Sequence, residues 1–213
     1  MKVQVLSSAP RFGEFVGKPL HIIYIPGIGD QNVDGQQKAV NTWSWYGVTA
    51  EICQMNWGDK LPWQPKLDKL LATIDKSVSE GRSVGLVGVS AGASAAINAF
   101  AARKGVITGV VCIAGKINHP ETIGDNYLHN NPALLTSVQD CIPSLRLLNA
   151  SDRKRILSRH GLFDETVPKR DSYVQGARNR YTPSAFHILI IAFEITLGAP
   201  SFIHFLKKQT KSN

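Results

Sequence analysis

The chain has 213 residues, 43% of them hydrophobic and 19% charged, which excludes a disordered polypeptide and suffices for one domain with a sizeable core. Its formal charge is +8, but the basic residues are scattered, with "SDRKRILSR" and a terminal "KKQTKSN" as the densest stretches, and no nucleic-acid-binding motif accompanies them, so no specific nucleic-acid partner is expected. The three cysteines, Cys53, Cys112 and Cys141, are widely spaced and odd in number, which argues against a disulfide framework or a metal site and fits a reducing cytoplasm.

In chain order, the opening stretch has no apolar targeting segment, and "KVQVL" near the start is a weak strand candidate. "HIIYI" (21–25) is a nearly continuous apolar run, followed by the glycine-containing turn "PGIGDQ". "TAEICQMN" (49–56) reads as a weaker strand, and "MNWGDKLPW" follows its end, which makes Trp57 and Trp63 candidates for a substrate entrance. "KLDKLLATIDKSVSEG" sets Leu67, Leu70, Leu71, Ile74 and Val78 on one helical face and stops at Gly81. "SVGLVGV" (83–89) is a strand, "AGASAAINAFAARKG" an alanine-rich helix ending at Gly105, and "GVVCIA" (109–114) another strand.

"PALLTSVQDCIPSLRLL" is helical, with a break or kink at Pro143. "KRILSRH" (154–160) and "ARNRYT" (177–182) are further strand candidates. "AFHILIIAFEITLG" is interrupted by His187 and Glu194, is too short and polar to span a bilayer, and reads as a buried helix. "APSFIHFLKK" is a last helix with a basic end. Continuous apolar strands alternating with helices predict one α/β domain over 1–213, with a mostly parallel central sheet and helices on both faces.

In such sheets, ligands bind at the carboxyl ends of the strands. "GLVGVSAGAS" places Ser90 directly after a strand and at the start of a helix, with Gly88 and Gly92 two residues to either side. This is the context of a nucleophile elbow, where strand and helix nearly collide and the flanking residues must be small.

Here the chain resembles the α/β-hydrolase family, over roughly residues 20 to 206. The resemblance rests on "GVSAG" and on "HGLFDETVP", where Gly161, Asp164, Val167 and Pro168 match a late strand followed by the acid loop. It implies a serine hydrolase acting on a small acyl substrate, an ester, thioester or amide, with Ser90 as nucleophile, Asp164 as acid and no metal or cofactor. Asp171 and Asp152 are the lesser candidates for the acid.

The family order of nucleophile, acid, histidine leaves His187 and His204, and His187 fits the start of a final helix, though Phe186 stands where the family often has glycine. The oxyanion hole would use the backbone N–H groups of Ala91 and Ile28, with Gly29 as a near alternative, in a turn that has Pro26-Gly27 where many members have His-Gly. The segment 115–150 would hold a small lid plus a helix, with Tyr127 and Leu128 touching substrate. So small a lid argues for small or soluble acyl groups over bulk lipid. A non-catalytic member that binds a ligand or partner is the alternative, and the oligomeric state is open.

Overall fold

The computed structural model describes residues 18–210, so "KVQVL" lies outside the described residues. Six strands are formed: β1 (Leu20–Ile25), β2 (Thr49–Ile52), β3 (Ser83–Val89), β4 (Ile107–Ile113), β5 (Ile156–Phe163) and β6 (Arg178–Ala185). All neighbours pair in parallel, in the order β2-β1-β3-β4-β5-β6. β1, β3 and β4 occupy adjacent places inside the sheet, and they are the strands whose apolar runs are continuous, because both of their faces are covered.

The helices are α1 (Asp34–Asn41), α2 (Trp63–Ser79), α3 (Ala91–Ala102), α4 (Asp125–Asn130), α5 (Pro132–Arg146), α6 (Ala150–Lys154), α7 (Lys169–Ser172), α8 (His187–Ile195) and α9 (Ala199–Thr210). Alternate strand residues feed two separate cores. Ile23, Ile25, Leu86, Val110 and Cys112 pack with α2, α3 and α5, whereas Ile22, Tyr24, Val87, Val111 and Ile113 pack with α1, α8 and α9. The period-two alternation of a strand thus explains how one sheet serves two layers.

Two sequence expectations change, and one helix is unforeseen. Pro143 lies inside α5 without ending it. α1 has the polar sequence "DGQQKAVN", which gives no apolar stripe to read, and only Ala39 and Val40 of it are buried. α8 is helical as expected but not buried throughout: Ile188 is 71% and Leu189 56% exposed, because the helix lies at the rim of a cleft. Glu194 is fully buried on the same helix. Its carboxylate accepts the Thr182 hydroxyl of β6 at 2.6 Å and stands 3.7 Å from the Arg159 guanidinium of β5, so it fastens α8 to the last two strands.

Among the described residues, no single helix is long and apolar enough to cross a membrane.

Candidate active site

Ser90 sits between β3 and α3 at φ 51° and ψ −122°, a conformation that an L-residue adopts only under constraint. The constraint is steric. A Cβ on Gly92 would stand 2.1 Å from the Ile25 carbonyl oxygen, and one on Gly88 would stand 2.4 Å from that of Gly92, so strand and helix pack backbone to backbone. Hydrogen bonds hold the turn: the Ser90 N–H donates to the Ile113 carbonyl at 2.9 Å, and the Lys116 N–H donates to the Ser90 carbonyl at 3.0 Å.

The Ser90 hydroxyl lies 3.0 Å from Nε2 of His187, the first residue of α8. Nδ1 of the same ring lies 2.9 Å and 3.1 Å from the two carboxylate oxygens of Asp164, in the loop after β5. A carboxylate only accepts, so the ring proton belongs on Nδ1 and Nε2 is left as an acceptor for the serine proton. The backbone N–H groups of Thr166 and Val167 donate to Asp164 Oδ1 at 3.0 and 2.7 Å, holding the carboxylate in place; Asp164 does not cap α7. His187 is 6% exposed, and residues from three strand ends, 74 and 23 positions apart in the chain, are brought into one line.

The other candidates for these places are used elsewhere. Asp171 is buried against the Lys116 ammonium at 2.5 Å, and Asp152 pairs with Arg155 at 2.7 Å. His204 is exposed on α9.

Ala91 is the first residue of α3, so its N–H has no acceptor within the helix. Ile28 stands in the turn after β1, and both residues line the cleft beside Ser90. A Cβ on Gly27 would meet the Ser90 Cβ at 2.8 Å, so this turn approaches the serine as closely as backbone allows. Ser90 thus lies at the amino end of α3, where the helix dipole favours negative charge.

The cleft has a volume of about 650 Å³. One lobe lies between α1 and α8, and the other is bounded by Lys116, Thr122, Gly124, Tyr127 and Thr166. Tyr127 therefore lines the cleft from a small flap that contains α4, whereas Leu128 does not reach it.

Trp57 is a correction. It is fully buried and absent from the cleft wall; its indole N–H donates to the Pro26 carbonyl at 3.2 Å, and its ring stacks on Trp63 at 6.1 Å. It supports the turn that carries Ile28 from behind. Trp63 is likewise buried.

Two functional neighbours gave no sequence signal. Glu165 accepts the backbone N–H of His187, and this depends on a fold contact 22 residues away in the chain. The Lys116 ammonium donates to the His119 carbonyl, the Thr122 hydroxyl and Asp171, which ties the flap to α7. The buried cysteines lie in the core, and burial pushes the Cys112 thiol up to about 12, so none is an available nucleophile. Among the described residues, no three His, Cys, Asp or Glu side chains converge as metal ligands.

No family model and no curated protein matches the chain. Solved structures do match. Est1E from Butyrivibrio proteoclasticus aligns with a TM-score of 0.67 at 15% identity, covering 91% of this chain and 89% of its own. The metagenome-derived lipolytic enzymes LipS and LipT are represented at a TM-score of 0.65 and 10% identity, over 91% and 95%. The monoacylglycerol lipase of Paleococcus ferrophilus aligns at 0.57 and 15% identity, over 92% and 97%.

Proposed function

Starting from a chain with the α/β-hydrolase fold, we propose that it is a serine hydrolase that cleaves a carboxylic ester, thioester or amide through an acyl-enzyme on Ser90. The observation that carries this reading is the line from Ser90 Oγ to His187 Nε2 at 3.0 Å and from His187 Nδ1 to Asp164 at 2.9 Å, beside a serine in a strained elbow.

The chemistry follows from those contacts. Ser90 Oγ attacks the acyl carbon while its proton passes to His187 Nε2, and the carbonyl electrons move to oxygen. The resulting oxyanion faces the N–H groups of Ala91 and Ile28, each such donor being worth about 3 kcal/mol in the transition state. The tetrahedral intermediate collapses, the bond to the leaving group breaks, and Nε2 returns the proton to that group. Water then adds to the acyl-enzyme with Nε2 taking its proton, and the collapse releases the carboxylic acid and returns the proton to Ser90. Asp164 stays ionised and keeps the imidazole in the working tautomer.

A fluorophosphonate probe and a chromogenic ester test the reading together. The wild type is expected to be labelled on Ser90 and to turn over the ester, and Ser90→Ala to lose labelling and at least about a thousandfold in kcat. Equal labelling of the alanine variant, or an unreactive wild type, would overturn it in favour of a binding protein on the same fold.

A further inference from the structure

The lobe between α1 and α8 is asymmetric in a way that specifies a ligand. From α8 it receives Ile188, Ile191, Ala192 and Ile195, spaced i, i+3, i+4 and i+7 along one helical face. The opposite wall is Gly35, Gln36 and Ala39 of α1, of which Gly35 and Ala39, one turn apart, carry little or no side chain. A Cβ on Gly35 would meet nothing within 4 Å, so the small residues leave real space. The row passes from Ile188, 71% exposed at the mouth, to Ile195, 5% exposed at the inner end. Among the described residues, no charged side chain lines this lobe. Two of its polar side chains bond within the protein: the Gln36 carbonyl oxygen accepts the Tyr24 hydroxyl at 2.6 Å, and the Thr196 hydroxyl donates to the Ala192 carbonyl at 2.6 Å.

An uncharged row of aliphatic side chains that passes from an exposed to a buried residue fits an unbranched hydrocarbon, and its lack of charge disfavours a carboxylated chain. The span from Ile188 to Ile195 is about 10 Å of helix, the reach of roughly eight carbons of an extended chain at about 1.3 Å each. The other lobe sets Lys116, Thr122, Tyr127 and Thr166 among Ile123, Leu134 and Val167; it is the more polar of the two and borders the exposed flap, which suits a leaving group released to water.

Resting on the hydrolase reading above, we propose that the α1–α8 lobe is the acyl subsite, and that the enzyme prefers esters of straight, uncharged, medium-length fatty acids. This replaces the sequence-based expectation of small acyl groups, which came from lid size alone.

A series of p-nitrophenyl esters from acetate to laurate, read as kcat/KM, tests the proposal. Each buried methylene is worth up to about fourfold, so octanoate is expected to exceed acetate by at least about a hundredfold, with no further gain at laurate. Ala192→Phe and Gly35→Leu, both at exposed positions, fill the lobe from opposite walls. Each is expected to lower the octanoate-to-acetate ratio at least about tenfold while melting as a folded protein. A flat series in the wild type, an unchanged ratio in both folded variants, or a length dependence found only among alkyl acetates overturns the acyl assignment. An absence of any ester turnover, with Ser90 unlabelled, instead removes the hydrolase reading beneath it.

Discussion

Glu165 accepts the backbone N–H of His187 at 3.0 Å, while its neighbour Asp164 holds the ring of the same histidine at 2.9 Å. Two successive carboxylates in the loop after β5 therefore grip both the main chain and the side chain of one residue. The first helical N–H groups of α8 would otherwise lack acceptors, and an anion suits that end of the helix dipole. Glu165→Ala is expected to lower kcat about three- to tenfold with little change in KM and to cost about 1 kcal/mol of stability. Glu165→Gln, which keeps an acceptor oxygen, should recover most of the rate. Steady-state kinetics beside a thermal melt check this, and an unaltered kcat in the alanine variant would contradict it.

Asp164→Asn separates holding the loop from holding the proton. The asparagine oxygen can still accept the N–H groups of Thr166 and Val167, so the fold should persist. Its amide nitrogen would then face Nδ1 and favour the tautomer with the proton on Nε2, where it cannot accept from Ser90. The expected loss in kcat is about a thousand- to ten-thousandfold with a melting temperature near that of the wild type. A loss under tenfold would show that Asp164 does not orient the base.

Gly92→Ala is expected to destabilise the protein by more than about 3 kcal/mol, because the new methyl would overlap the Ile25 carbonyl backbone rather than a movable side chain. Gly105→Ala, at a turn where a Cβ meets nothing within 4 Å, is the control and should be nearly neutral. Chemical denaturation of the two variants decides the matter; equal stability would mean that the elbow is not sterically closed.

These contacts show what could be read in advance. Strand and helix periodicity locates the strand ends, and the family resemblance singled out Ser90, Asp164 and His187 there, so the three side chains that the fold brings into hydrogen-bond contact were named from sequence. The cleft was not. Its walls depend on α1, whose "DGQQKAVN" has no apolar period, and on which side of α8 meets the sheet, and neither is local information. Trp57 shows the converse failure: its position after a strand end suggested an entrance, yet the left-handed backbone of Asn56 just before it turns the chain and its indole lies under Pro26. Phe186 explains the looser match before the histidine. It takes φ 68°, a conformation that glycine adopts without cost, and its ring packs edge-on against Phe163 at 6.0 Å.

His160, on β5, is 2% exposed, and neither ring nitrogen has a hydrogen-bond partner among the described residues. Burial, with a smaller contribution from Lys169, holds its pKa below the ordinary 6.5. Between that lowered value and 6.5 the unfolded chain binds the proton and the folded one does not, so stability falls as pH drops through this window. Melting temperatures across pH 5 to 8 should therefore decline more on the acid side for the wild type than for His160→Phe. Parallel curves would assign the acid sensitivity to other groups.

All six non-glycine residues with positive φ among the described residues, Asn56, Lys60, Ser90, Ala114, His119 and Phe186, lie in loops that leave the carboxyl ends of strands. At the other end of the sheet, the left-handed positions fall on Gly47, Gly81 and Gly176, which adopt them freely. The chain is thus relaxed at one pole and tensed at the other, and the tense pole is the one that carries the cleft. Efforts to raise thermal tolerance have a natural territory, the loops that enter the strands, where substitution does not disturb the conformations that aim Ser90 and His187. Easing the opposite pole, as a glycine at position 90 would, should yield a sturdier protein with nothing left to attack with.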